Sequence, residues 1–413
     1  MDRHKFIVIL GDGMADFPIQ RLGGKTPLQA AVKPHIDRIA AQGRCGLFHS
    51  IEPDLPTGSE IANLIVLGYD PHDCFQGRGV LEAASMGVDI GESQIGMRCN
   101  LICVQDGLIK NHSAGHISSE ESALLLDSLN QAVKDPRYRF HTGVSYRHLF
   151  VGEGLCPGLE CFPPHDHPNE PVADLMIRPA STGAASNGSA ARETSDLLNQ
   201  FTRMSWDLFK DHPVNQQRIA NGKDPATSIW LWSPGRRPSM KTFQERFGVN
   251  GAVISAVDLI RGIGVYAGLN KIIVPGATGL YDTNYEGKAQ ASLDALKEVD
   301  FVYVHVEAPD EAGHEGDLEL KVRTIEDLDQ RLVKPILEGL EQAGIHATVA
   351  ILPDHLTPVE TRTHARGAVP FAIWNRVSPN ADSVQQFDED SCSQGGYPEL
   401  HGDEFIRGVL GRL

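Results

Sequence analysis

Five short apolar runs, each rich in β-branched residues and each bounded by Gly, Pro or Asp, restrict this chain more than any other feature. They are FIVIL at 6–10, KIIVP near 271, FVYVHV at 301–306, TVAIL at 348–352 and VPFAIW at 369–374. None alternates apolar with polar, so each reads as a strand covered on both faces. Helix-like segments lie between them: HIDRIAAQG at 35–43, ASLDALKEV at 291–299 and a long candidate from about 318 to 343. Alternating strand and helix predicts an α/β fold with a mostly parallel sheet.

With 413 residues and 41 % hydrophobic content, the chain is long enough for about two or three domains. The apolar runs cluster at the start and after about residue 250. The stretch from about 85 to 245 differs in texture, with polar loops, the small-residue tract ASTGAASNGSA at 180–190 and the aromatic piece SIWLWSPGRRP. The tract reads as a flexible loop. The simplest division is a discontinuous domain, 1–80 and 250–413, interrupted by a second domain, 81–249. The crossings are expected near 75–90 and 240–255.

Thirty-seven Lys and Arg face 54 Asp and Glu, a net charge of -17. Such a surface disfavours nucleic acid as a partner, though a few local cations suffice for a small anion. No run of ~18 apolar residues is present to span a bilayer. The apolar part of MDRHKFIVILGDG is too short for a signal peptide, so a cytoplasmic location is expected. Seven scattered cysteines, an odd number, predict reduced thiols rather than a disulfide framework. Cys99 and Cys103 have a helical spacing but lack partners to complete a tetrahedral metal set.

The chemistry concentrates where strands end. FIVILGDG places Asp12 just past one strand, FVYVHVEAPDEAGH places Asp310 and His314 past another, and TVAILPDH places Asp354 and His355 past a third. Carboxyl ends of strands in open parallel sheets are where ligands bind. His364, in TRTHARG, adds a third imidazole. Three carboxylates and three imidazoles suit Zn or Mn, and their number suggests two metals. Singly, each has an ordinary explanation as a tight turn, a local cap or a surface pair. Their occurrence at three strand ends favours a site. Ser59, in LPTGSEIANL, lies between a turn and a helical run. It reads either as a helix N-cap or as a nucleophile activated by the helix dipole and a cation.

GDGMAD, PTGSEIANL, NHSAGHIS, GVSYRHL, ISAVDLIRGIG, DTNYEGKA, VHVEAPDEAGHEGD and LPDH occur in this order along nearly the whole chain. Together they resemble the archaeal-type branch of the cofactor-independent phosphoglycerate mutases, within the alkaline phosphatase superfamily. The resemblance implies an alkaline-phosphatase-like α/β domain binding two divalent metal ions, with a smaller α/β substrate-binding domain inserted in it. It further implies that Asp12, Ser59, Asp354 and His355 hold one metal and Asp310, His314 and His364 the other, with Ser59 transiently phosphorylated. His116, in NHSAGHIS, resembles a phosphate-contacting histidine of the inserted domain. Arg147, Arg261 and Lys288 are further candidates for substrate binding.

The implied reaction is interconversion of 3- and 2-phosphoglycerate. Mn, Zn, Mg and Co all suit the mixed Asp and His ligands. A metal-dependent phosphatase and a phosphotransferase to another hydroxyl, such as that of homoserine, use the same parts. A silent binding protein retaining the fold is a third alternative, disfavoured because the whole ligand set and the serine are present. A P-loop kinase is disfavoured: LGGKTP at 22–27 resembles the end of that motif, but position 19, where its first Gly is required, is Ile. Arg236 and Arg237 read as a surface pair, and the acidic FDED at 387–390 as a solvated loop.

Overall fold

A computed structural model describes residues 4–181 and 188–413; positions 182–187 of the small-residue tract lie outside the described residues. The chain divides into two compact units, Met1–Phe75 with Ser239–Leu413, and Gln76–Pro238. Residues 76–80 and 239–249 therefore fall on the other side of the division from the sequence reading. The helix Arg78–Met86 packs on the second unit's sheet. The Phe243 ring, by contrast, stacks 4.5 Å from Phe301 of the first unit.

In the first unit the strands β1 (Lys5–Gly11) and β2 (Arg44–His49) join strands from the far end of the chain. The second unit supplies β3 (Gln94–Gln105), β4 (Leu108–Asn111), β5 (Tyr138–Val144), β6 (Arg147–Glu153), the short pair β7 (Leu159–Glu160) and β8 (Arg178–Pro179), and β9 (Ser228–Gly235). The chain then returns with β10 (Gly251–Ile254), β11 (Asn270–Ile272), β12 (Phe301–Val306), β13 (Ala347–Leu352), β14 (Val369–Asn375) and β15 (Leu400–His401). The eight strands of the large sheet run in the order β11-β10-β12-β1-β13-β14-β2-β15. All neighbours are parallel except β14, which is antiparallel to both β13 and β2.

Four of the five apolar runs are interior strands, and every residue of β12 and β13 is buried; KIIVP instead forms the edge strand β11, where Lys271 and Ile272 are only half-buried. Ile7, Ile9, Val302, Val304, Val349 and Ile351 pack with Ile36, Leu332, Ile336 and Leu340 of helices on one face. The long helical segment runs Leu318–Asp327 and Lys334–Gln342, joined by a π-helical stretch, Leu328–Val333. Strand register brings the chemistry-bearing residues together. Gly11 pairs with Val306 and Leu10 with Leu352, so β1, β12 and β13 end together and the residues after them emerge at one edge.

The second unit is a mostly antiparallel sheet, β4-β3-β6-β5 with β9 paired to β3. Its core joins Met97, Leu101, Phe150 and Leu231 to Leu125 and Leu129 of the helix Ser119–Ala132 and to Leu198 and Phe201 of the helix Ser189–Lys210. Cys99 and Cys103 lie on β3, not on a helix; all seven cysteines are free. Arg237 is exposed and pairs with Asp89 at 2.7 Å. Among the described residues no helix is long and apolar enough to cross a membrane.

FDED is not a solvated loop. Asp388 caps the helix Glu389–Ser393, and Glu389 accepts from the Thr26 hydroxyl at 2.6 Å and the Asp16 backbone N–H at 3.0 Å. Burial pushes the Glu389 carboxyl from an ordinary 4.5 up to about 7. Across that interval the folded state binds more protons than the unfolded state, so stability falls as pH rises. Glu389→Gln lacks this term. Its melting midpoint, compared with wild type at about pH 5 and pH 8, gains relative to wild type at the higher pH. An unchanged difference would place the titration elsewhere.

Candidate metal and phosphoryl-transfer centre

Asp12, Asp310 and Asp354 follow the aligned ends of β1, β12 and β13, and all three are buried. The turn after β1 requires glycine at 13. Its φ is +57°, and a Cβ would lie 2.5 Å from both Asp310 Oδ1 and Thr357 Oγ1. The Gly13 N–H also donates to Asp354 Oδ1 at 3.1 Å, alongside the His355 N–H at 3.0 Å.

Ser59 opens the helix Ser59–Val66, whose N-cap is Gly58. The serine is therefore not the cap. Its Oγ lies 3.2 Å from His355 Nε2, which is 3.5 Å from Asp12 Oδ1 and 3.6 Å from Asp354 Oδ2. Asn63, one turn along the helix, donates to the Ser59 carbonyl and to Asp354 Oδ2, both at 2.8 Å. It accepts in turn from the Tyr303 hydroxyl.

Beside this group, His314 Nε2 lies 3.2 Å from Asp310 Oδ2 and 3.0 Å from His364 Nε2, and His364 Nε2 is 3.6 Å from Asp310 Oδ1. Donor atoms of Asp310, His314 and His364 fall within 4.8 Å of one another, as do those of Asp12, Asp310 and His355, so the two groups are contiguous.

Neighbouring hydrogen bonds set which imidazole nitrogen carries a lone pair. His314 Nδ1 is 3.0 Å from the Arg362 carbonyl, which only accepts. Nδ1 therefore carries a proton, and in the neutral ring Nε2 presents its lone pair to the group. The Thr357 hydroxyl donates to Asp310 Oδ1, so Thr357 Oγ1 accepts in turn from His355 Nδ1, 3.2 Å away. His355 Nε2 then faces Ser59 as an acceptor. Such second partners orient imidazole ligands in metal sites.

Charge in the group is unbalanced. Burial, and then Asp354, Asp310 and Glu307, drive the Asp12 carboxyl well above the usual range. Its Oδ1 is buried without a hydrogen-bond partner among the described residues. Burial opposes ionisation of Asp310, but His314 and His364 outweigh it and hold this carboxyl well below the usual range. His314, bonded to Asp310, is raised to about 9. A clustered set of O and imidazole N donors with an orphaned carboxylate oxygen fits hard to borderline divalent cations.

Sequence reasoning missed several contributors. His305, inside the apolar β12, lies 2.9 Å from Asp12 Oδ2 and 3.2 Å from the Ser255 hydroxyl. A polar side chain within an otherwise apolar central strand was the available signal. Lys321, fully buried, donates to the Ala15 and Thr357 carbonyls and to Asp16 Oδ2, tying the turn after β1 to the loop after β13.

Of the candidate substrate groups, Lys288 and Arg261 belong to the first unit. Lys288 is buried and donates to the His305 carbonyl at 3.0 Å; burial lowers its ammonium to about 8. Arg261 donates to the Ser255 carbonyl at 2.7 Å and pairs with Asp258 at 3.3 Å. His116 and Arg147 belong to the second unit. His116 has φ 51°, and Ser118, not His116, caps the following helix. The exposed Arg147 guanidinium lies 5.5 Å from the Tyr146 ring centre.

A family model described as 2,3-bisphosphoglycerate-independent phosphoglycerate mutase matches residues 40–215. The chain is 49 % identical over 403 residues to the 2,3-bisphosphoglycerate-independent phosphoglycerate mutase of Methanosarcina acetivorans, covering 97 % of this chain and 98 % of that one. Among solved structures, it matches a Pyrococcus horikoshii protein with a TM-score of 0.82 at 26 % identity, over 100 % of this chain and 99 % of that one. A cofactor-independent phosphoglycerate mutase from Thermoplasma acidophilum matches with a TM-score of 0.69 at 26 % identity, over 99 % of both chains. The chain belongs to the 2,3-bisphosphoglycerate-independent phosphoglycerate mutase family.

Proposed function

We propose that this chain interconverts 3-phosphoglycerate and 2-phosphoglycerate through a phosphoserine at Ser59. The observation that carries the reading is the Ser59 hydroxyl 3.2 Å from a buried imidazole nitrogen, at the start of a helix and beside Asp12 and Asp354. Asp12, Asp354 and His355 would hold one divalent cation with Ser59, and Asp310, His314 and His364 a second. Bound cations would neutralise charge on the transferring phosphoryl oxygens and favour the serine alkoxide.

Ser59 Oγ gives up its proton and attacks phosphorus, the bond from phosphorus to the substrate's 3-oxygen breaks, and the released 3-oxygen takes up one proton in exchange. The glycerate 2-hydroxyl then attacks the phosphoserine, loses its proton and returns Ser59 to the free hydroxyl. The positive end of the helix favours phosphate at this serine. Arg261 and Lys288, in the same unit as Ser59, would bind the substrate's phosphate or carboxylate, for which guanidinium offers bidentate geometry. Glycerate must be retained and water excluded between the two transfers, which separates a mutase from a phosphatase.

The test is conversion of 3- to 2-phosphoglycerate by the purified protein with Mn2+, without ATP or 2,3-bisphosphoglycerate, while free phosphate is followed in parallel. Isomerisation without phosphate release is the expected outcome. Phosphate release alone would make the chain a phosphatase, and neither signal would direct attention to ATP with a different hydroxyl such as homoserine's.

A further inference from the structure

The two-residue strand β15 lies at the edge of the large sheet and pairs in parallel with the end of β2, Leu400 beside Phe48 and His401 beside His49. In-register neighbours project side chains to the same face. Here the two imidazoles stack with centres 4.4 Å apart and planes 3° from parallel. Glu399 precedes His401 by two residues and so shares that face. Its Oε2 lies 3.0 Å from His49 Nε2. One donor atom from each of His49, Glu399 and His401 falls within 4.8 Å of the others. The His49 and Glu399 side chains are 32 % and 63 % exposed, leaving one side open to water.

This group shares no residue with the centre described above, although the Ser50 hydroxyl, next to His49, donates to the Asp354 carbonyl. β14 stands between β2 and β13, which at the usual strand spacing puts His49 about 10 Å across the sheet from the strand leading to Asp354.

We propose that His49, Glu399 and His401 form a second, surface cation site for a borderline divalent transition-metal ion such as Zn2+. Two imidazole nitrogens and one carboxylate oxygen are the donor set such ions prefer, and three protein ligands with an open position complete a coordination sphere with water. Metal–ligand bonds of ~2.0–2.2 Å place donors roughly 3.3–3.6 Å apart; because the stacked rings lie in parallel planes, one imidazole must swing out of the stack for both lone pairs to meet at the ion. The backbone already holds the donors: the His401 N–H donates to Glu404 Oε2 at 2.8 Å. The ion would clip β15, joined to β2 by two residue pairs, and with it the helix Glu404–Val409, which buries Phe405, Ile406 and Val409. The structural effect is a tether for the last segment of the chain on the sheet edge.

The test is metal counting after dialysis of the Mn2+-loaded protein against Zn2+, for wild type, His401→Gln and Glu399→Gln. Zinc that exchanges into the catalytic centre is counted equally in all three. Wild type is expected to carry one equivalent more than either variant, and Zn2+ is expected to raise its melting midpoint further. Mutase turnover of the variants should match wild type, which also verifies their folding. Equal zinc content in all three proteins would overturn the site and leave a surface ion pair beside two stacked rings.

Discussion

Ser59→Ala is expected to lower kcat by about 10^4-fold or more, the scale on which removing a covalent nucleophile acts. The structure separates this loss from a folding defect. Gly58, not Ser59, is the helix N-cap, and the contacts that hold the helix start pass through the Ser59 carbonyl and the Asn63 side chain. Alanine keeps both. Far-ultraviolet dichroism and the melting midpoint should therefore stay close to wild type. Brief incubation with phosphorus-labelled 3-phosphoglycerate should leave label on wild type and none on the variant. Turnover within tenfold of wild type would mean that the phosphoryl group never resides on this serine, and the proposed route would have to be abandoned.

The parts of this protein legible from its sequence are those set by local pattern. Unbroken apolar runs such as FVYVHV mark central strands, and Asp12, Asp310, His314, Asp354 and His355 stand out by their position at strand ends. In the structure their donor atoms lie in three overlapping groups, Asp12 with Asp310 and His355, Asp310 with His314 and His364, and Asp12 with His305 and Asp354. The illegible parts depend on register between distant segments. Thr357 matters because its hydroxyl bridges Asp310 and His355, and Asn63 because it spans Ser59 and Asp354; neither role has a local signature. Lys321 is about three hundred residues from Ala15, whose carbonyl it holds. The antiparallel direction of β14 and the pairing of β9 with β3 are likewise long-range outcomes. FDED misleads for a related reason. Its charge predicts exposure, but Asp388 is buried, and Thr26 and the Asp16 N–H supply partners for the half-buried Glu389.

Asp310→Asn is expected to reduce turnover by more than ~100-fold, beyond the 10- to 100-fold typical of residues that only support metal ligands. It should also remove metal from the group with His314 and His364. Asparagine is nearly isosteric and retains an oxygen to accept from Thr357, so the fold should persist. Wild type should gain stability as Mn2+ is added, by about 2.7 kcal/mol at a hundredfold excess over Kd, and the variant should gain less. A second readout comes from the metal-free protein. The hydrogen bond to Asp310 is the largest cause of the rise of His314 from 6.5 to about 9. A raised imidazole contributes stability that is complete below about pH 6.5 and is lost as pH climbs through about 9. Without the carboxylate that contribution should vanish, so the metal-free variant's melting midpoint should fall less steeply than wild type's between those limits. Wild-type turnover together with undiminished metal content in Asp310→Asn would sink the two-cation arrangement, because no other carboxylate in the group contacts both His314 and His364.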